Sequence, residues 1–218
     1  MEQKEILTIY QKKVIELVVK EPRLSSFYLS GGTALAGVYL HHRFSDDLDF
    51  FSFEPIDGRF LHKFIKIIEK KMGAHSTRYE HIFDRNLFFL KLSKREELKM
   101  EFTQYPFKQL SKVELQHGLR VDSLRDIAAN KLMALLDRFD PKDFVDLFFL
   151  LKRFSLEKIK KDAEKKFGSK IDNIFLGSEL TKAQRIKALP IMLQPLTIKE
   201  LQVFFVELAR QVGQKMLE

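Results

Sequence analysis

The stretch from Tyr28 to Phe51, YLSGGTALAGVYLHHRFSDDLDFF, constrains this chain most, because it joins a glycine turn to two aspartates with a single residue between them. Phe27, Tyr28 and Leu29 read as a short strand, Gly31 and Gly32 as a turn, Thr33 as a helix start, and the segment bearing Asp47 and Asp49 as a second strand. Side chains two apart on a strand leave by one face, so the carboxylates converge. Paired carboxylates repel, and a hard cation with a preference for oxygen ligands is the usual reason to keep them together. Small residues at a helix N-terminus let backbone N–H groups approach a phosphate. Either half alone is common in unrelated proteins. Arriving in the order strand, turn, helix, strand, they suggest nucleotide chemistry.

The same residues resemble the signature of the DNA polymerase β-type nucleotidyltransferase superfamily, and specifically its AbiEii/AbiGii toxin-like branch. Gly31-Gly32-Thr33 and Arg43-Phe44-Ser45-Asp46-Asp47-Leu48-Asp49-Phe50 carry the superfamily likeness. His42-Arg43 before Ser45 and Phe50-Phe51 after Asp49 carry the branch, with Ala129-Asn130-Lys131-Leu132-Met133-Ala134 and Lys142-Asp143-Phe144-Val145-Asp146-Leu147 further on. Lys142 departs from the arginine usual at its position and keeps its charge. The resemblance implies an α+β protein, with a polymerase β-like α/β domain and mixed sheet over residues 1–110. A helical domain over 111–218 would complete the nucleotide site. It implies Asp47, Asp49 and a third carboxylate, best matched by Glu101, as ligands of Mg²⁺ or Mn²⁺. Gly31, Gly32, Thr33, Arg43, Ser45, Lys131, Arg138, Asp143 and Asp146 would shape the site for an NTP. In such families the activity belongs to the toxin of a toxin–antitoxin or phage-defence pair, so a separately encoded antitoxin is implied.

The residues add their own alternatives. Glu101 leaves its strand by the face opposite Met100 and Phe102; it could ligate a metal, take a proton from an attacking hydroxyl, or form an ordinary cross-strand ion pair with a lysine. Asp122 is a weaker rival, better explained as a cap or turn residue. Leu124, Ile127, Ala128 and Leu135 lie within about 60° of Lys131 on a helix, so that lysine projects from an apolar stripe with Arg138 on the same face. It must snorkel, meet a triphosphate, or pair with Asp143 or Asp146. Asp140-Pro141-Lys142-Asp143 reads as an N-cap followed by helix-starting proline, which accounts for Asp143 but leaves Asp146 to a positioning role.

Composition bounds what remains. A chain of 218 residues can bury a proper core as one large or two small domains. The absence of cysteine excludes a disulfide framework and a cysteine zinc site. The opening MEQKEILTIYQKKVIELVVK is an amphipathic helix broken by charge, and no apolar run reaches transmembrane length, so a cytoplasmic protein without a membrane partner is expected. Residues 152–187 hold eleven Lys or Arg against five Asp or Glu, six of the eight excess positive charges of the chain. Such a segment suits an RNA backbone such as a tRNA 3′ end, or is simply a solvated helix face. DNA is not expected.

The periodicity of Phe60, Leu61, Phe64, Ile65 and Ile68 predicts a helix ending at Gly73; Leu87–Leu92 and Leu98–Phe102 predict a hairpin. Thr197 to Glu200 is a capping box before a final helix bearing Phe204 and Phe205, which packs internally or docks a partner. Three functions fit: nucleotidyl transfer to RNA, transfer to a protein or a small molecule such as an aminoglycoside, or a catalytically silent nucleotide- or partner-binding module.

Overall fold

A computed structural model describes residues 6–214; the first five residues of the opening segment lie outside them. The chain forms two compact units. Of the described residues, the first takes in those up to 39 with 45–108 and 112–123; the second takes in 40–44, 109–111 and those from 124 onward.

The first unit is built on a mixed seven-stranded sheet with strand order β3-β4-β5-β2-β1-β7-β6. Its strands are β1 (Tyr28–Ser30), β2 (Leu48–Ser52), β3 (Ser76–Ile82), β4 (Arg85–Lys91), β5 (Glu97–Gln104), β6 (Glu114–Gln116) and β7 (Leu119–Val121). β2 runs antiparallel to β1 and parallel to β5. Leu48, Phe50, Leu98, Met100 and Phe102 alternate onto one face and are buried, with Phe50 stacked on Phe102. That face is the core, so Asp49, Lys99 and Glu101 must leave by the other.

Helix α1 (Ile9–Val19) starts in a capping box between Thr8 and Gln11, whose amide also donates to the Ser45 carbonyl. α2 (Gly31–Ala34) continues as a wider π-helical turn over Leu35–Leu40. α3 (Gly58–Met72) runs from the Asp57 cap to left-handed Gly73, where the sequence pattern ends it. The predicted β4–β5 hairpin is present, and two further features join it. β3 pairs along β4, and β6–β7 turn at His117 and Gly118, both with positive φ.

The second unit is helical: α4 (Leu124–Asp137), α5 (Pro141–Leu150), α6 (Leu156–Phe167), α7 (Asn173–Thr181) and α8 (Ile198–Gln214). Asp140 caps α5 with Pro141 at its first position, and Thr197 with Glu200 forms the capping box before α8. Phe205 is fully buried against Phe144, so this ring of the Phe204-Phe205 pair belongs to the core. Among the described residues, no helix is long and apolar enough to cross a membrane.

Candidate active site

In the first unit the sheet register assembles one row of side chains. Ser30 of β1 stands opposite Asp49 of β2, Asp49 opposite Glu101 of β5, and Glu101 opposite Leu87 of β4. Directly paired residues share a face, so the register brings Asp49 and Glu101 together away from the apolar core. Gly31 follows Ser30 with φ +67°, and a methyl group there would stand 2.2 Å from Asp49 Oδ2. Only glycine allows the turn and the carboxylate to touch.

Asp47 immediately precedes β2 and reaches the same face, where its Oδ2 lies 3.2 Å from Lys99 Nζ. Thr33 is buried, and its hydroxyl bonds to the Asp47 carbonyl and lies 2.9 Å from Ser45 Oγ. Thr33 and Ser45 thus staple the glycine turn to the segment carrying the aspartates.

Glu101 is already engaged. Arg85 Nε and Nη2 donate to its two oxygens at 2.8 and 2.7 Å, and Thr103 Oγ1 donates at 2.6 Å. Burial would raise its pKa, but those donors outweigh it and hold the carboxyl below the usual range. The cross-strand ion pair is therefore formed with an arginine. Asp122 directly follows β7, and its carboxylate accepts from the Ser30 hydroxyl and the Ser123 amide.

The metal expected from the sequence can be tested against these donors. Among the described residues no three carboxylates or histidines group closely enough to hold an ion. Mg²⁺ does not need such a cage, because it is commonly bound through one or two carboxylates plus substrate phosphates and water. Asp47 and Asp49 offer hard oxygen donors on one face beside a turn free of side chains, and they fit that mode of binding. Arg85 and Thr103 take three of the roughly four acceptor sites of Glu101, so it could give a cation both oxygens only by leaving Arg85.

The second unit holds the remaining candidates. Lys131 of α4 is buried and lies 2.9 Å from Asp143 Oδ1 and 2.6 Å from Asp146 Oδ2, both on α5. Arg138 is largely exposed and donates to Asp143 at 3.0 Å. Asp146 also accepts from His42 Nε2 at 2.8 Å and from Arg43 Nε and Nη2 at 2.7 and 2.8 Å. The third donor group of Arg43, Nη1, reaches the Phe44 carbonyl at 2.8 Å. Arg43 is thus buried with each donor nitrogen used inside the protein.

The charges in this cluster set one another. Burial alone would lower the Lys131 pKa, but Asp146 and Asp143 hold it above its ordinary value. Burial would raise Asp146, yet Lys131, Arg43 and His42 drive it far below the carboxylate range. His42 goes the other way: burial, aided by Arg43 and Lys131, outweighs Asp146 and keeps the imidazole neutral. Sequence reasoning missed His42 as a member of this cluster and missed Arg85 and Lys99 on the acidic face. Arg85 and Lys99 sit on strands in phase with Glu101, a signal visible once the hairpin register is known.

Known proteins resemble this chain in sequence and in fold. A family model described as nucleotidyl transferase AbiEii toxin, type IV toxin–antitoxin system, matches residues 17–215. An uncharacterised protein of Aquifex aeolicus (strain VF5) is 32% identical over 163 residues, covering 72% of this chain and 74% of that one. JHP933 from Helicobacter pylori superposes with a TM-score of 0.57 at 21% identity, covering 94% of this chain and 90% of its own. MenT4, a nucleotidyltransferase toxin from Mycobacterium tuberculosis H37Rv, superposes with a TM-score of 0.53 at 14% identity, covering 87% and 76%. At such identities the structural likeness is one of fold.

Proposed function

Because the chain belongs to the AbiEii nucleotidyl transferase toxin family, and is a nucleotidyltransferase of α+β fold, we propose that it transfers a nucleoside monophosphate from an NTP to an RNA hydroxyl, with a tRNA 3′ end as the preferred acceptor. Family membership implies an NTP substrate and an antitoxin partner. The observation that carries the reading is Asp49, pressed onto Gly31 and aligned with Glu101 on the open face of the sheet.

Asp47 and Asp49 would hold the divalent cation, Mg²⁺ or Mn²⁺. When bound, it would supply charge neutralisation of the phosphates, the main lever in phosphoryl and nucleotidyl transfer. The backbone of Gly31 and Gly32 offers N–H groups at the start of α2 for the β- and γ-phosphates. Thr33 and Ser45 keep that turn in register with Asp47. In the second unit Asp143 and Asp146 fix the position and protonation of Lys131, with Arg138 at the exposed end of the same cluster, a positioning role. The acceptor hydroxyl must lose a proton as it attacks the α-phosphorus in line and pyrophosphate leaves. Glu101 is the candidate to receive that proton, provided Arg85 releases it.

The RNA preference rests on the basic segment. Arg125, Lys158, Lys161, Lys165 and Lys170 surround a cleft of about 650 Å³ beside α6, with Asp162 and Glu164 as its acidic members. A phosphate backbone matches that excess, and its binding would weaken steeply with salt.

The test is transfer of radiolabel from each α-labelled NTP in the presence of Mg²⁺ and total RNA, beside an Asp49→Ala control. Label in RNA that is lost in the control supports the proposal. Label in protein or in an aminoglycoside would redirect the acceptor, and nucleotide binding without transfer would point to a silent module.

A further inference from the structure

The acidic face carries its own cations. Lys99 meets Asp47, and Arg85 meets Glu101, but the two contacts differ in kind. Lys99 makes one contact at 3.2 Å, with both side chains partly solvated. Arg85 grips Glu101 through two nitrogens at 2.8 and 2.7 Å, and Glu101 is only 4% exposed. A planar guanidinium matched to both carboxylate oxygens is among the stronger charge-assisted pairs, and burial of the acceptor limits competition from water. The position of Glu101 is further fixed by Thr103, whose hydroxyl donates to the same oxygen as Arg85 Nε.

That arrangement occupies most of the acceptor sites of the third carboxylate that the face otherwise offers. Glu101 stands directly opposite Asp49 in the β2–β5 register, so a cation held by Asp49 would lie next to it. The Arg85 guanidinium feels the charges of both acids, Glu101 first and Asp49 second, and its pKa is raised accordingly. A divalent ion and Arg85 cannot both occupy the same side of this carboxylate: they compete for its lone pairs and repel each other. Arg85 nevertheless has solvent to turn into. It sits at the first position of β4, next to the β3–β4 turn, and its side chain is 43% exposed.

From this bidentate contact on a buried acid beside Asp49, we infer that Arg85 is an internal competitor for the divalent cation, holding Glu101 out of the metal site until the ion displaces it. This rests on the reading of Asp47 and Asp49 as the metal-holding pair. Displacement restores the third oxygen ligand and, at the same step, turns Arg85 outward as a free cation beside the polyanionic substrate. Metal affinity is thereby kept low in the resting protein and rises when a nucleotide offers Arg85 another anion. Lys99, with its single solvated contact, modulates the same face only weakly.

The experiment is a titration of the full-length chain with Mn²⁺ alone, free ion being counted by its six-line electron paramagnetic resonance spectrum. Arg85→Gln should bind Mn²⁺ about tenfold more tightly than the wild type, since a neighbouring opposite charge shifts carboxylate equilibria by factors of that order. Lys99→Gln should change the affinity by about threefold or less, as expected of an exposed pair. Asp49→Asn should weaken binding in both the wild-type and the Arg85→Gln backgrounds. Removing Arg85 leaves a buried acid uncompensated, so Arg85→Lys is the companion variant: it keeps the charge, loses the fork, and should fall between the other two in affinity. Wild-type affinity in Arg85→Gln, or in Arg85→Lys where the glutamine variant fails to fold, overturns the inference while leaving the metal-holding pair intact. Mn²⁺ binding insensitive to Asp49→Asn overturns the pair itself, and the inference with it.

Discussion

Two clusters of charge in this protein use the same residue types in opposite ways. On the open face of the sheet, Asp47, Asp49 and Glu101 outnumber Lys99 and Arg85, and the contacts of Asp47 and Lys99 are half in water. Inside the helical unit, Asp146 and Lys131 are buried and saturated by partners at 2.6 to 2.9 Å. The buried cluster cannot exchange a partner without stranding a charge in an apolar interior. The open face can exchange, because solvent or an incoming ion replaces what leaves. Reactive chemistry belongs where exchange is cheap, and positioning belongs where it is not.

The sharpest way to break that division is to neutralise one acid in each cluster. Asp49→Asn should reduce nucleotidyl transfer by about a thousandfold or more, the scale set by losing preorganised charge at a reacting phosphate. Its melting temperature should stay close to the wild type, because relief of the carboxylate repulsion offsets the lost attraction to Arg85. Asp146→Ala should do the reverse in kind. It removes the acceptor shared by His42, Arg43 and Lys131, and should lower unfolding stability by about 3–5 kcal/mol, as expected when a buried ion pair loses one member. Urea unfolding of both variants decides the matter: a stable Asp146→Ala or an unfolded Asp49→Asn would erase the distinction.

Gly31→Ala sharpens the comparison on the open side, with a smaller effect. The substitution forces a left-handed backbone on alanine and drives its methyl to 2.2 Å from Asp49 Oδ2. The backbone term alone is about 1–2 kcal/mol, and the collision displaces the carboxylate. A loss of Mn²⁺ affinity larger than the accompanying stability loss would identify Asp49 as the moved part. Gly73→Ala is the control, since Gly73 has a similar φ of +65° and open space around it. It should cost stability alone.

Much of this division was legible before any coordinates. The alternating aspartates, the glycine turn and the paired helix motifs are local patterns; helical phase puts Lys131 on an apolar stripe but leaves a triphosphate and the Asp143 or Asp146 carboxylates as alternative partners. β3 was not legible: Ser76–Ile82 is polar and largely exposed, and it holds its edge through contacts such as Arg78 over the Phe89 ring. Nor were β6 and β7, whose turn uses His117 before Gly118 where asparagine or aspartate is the usual signal. The same limit hid Arg85. Its partner is set by antiparallel register across a turn, and a one-residue slip would send it to the other face. Arg43 shows the converse: a motif marked the residue, while three internal hydrogen-bonded nitrogens define what it does here.

The smallest expected effect probes the buried cluster without changing its charges by mutation. His42 is neutral in the folded state, with Nε2 donating to Asp146, a ring contact with Phe149 at 4.9 Å, and Nδ1 buried without a hydrogen-bond partner. Protonation would create a second buried donor with nothing to receive it, facing the positive charges of Arg43 and Lys131. The folded-state pKa is therefore depressed below the unfolded value of about 6.5. Below that pH the unfolded chain binds a proton that the folded chain refuses, so stability falls as pH drops, by up to about 1.4 kcal/mol per pH unit until the folded pKa is reached. Asp146 contributes in a separate window, because its depressed pKa gives stability that is complete above the unfolded carboxylate value near 4 and lost only in stronger acid. Between pH 6.5 and 5 the slope therefore belongs largely to the imidazole. Urea midpoints across that range should decline in the wild type and flatten in His42→Gln, even if the variant is less stable throughout. Parallel slopes would mean that the ring accepts its proton inside the fold, and the cluster would then be as open to exchange as the face that carries Asp49.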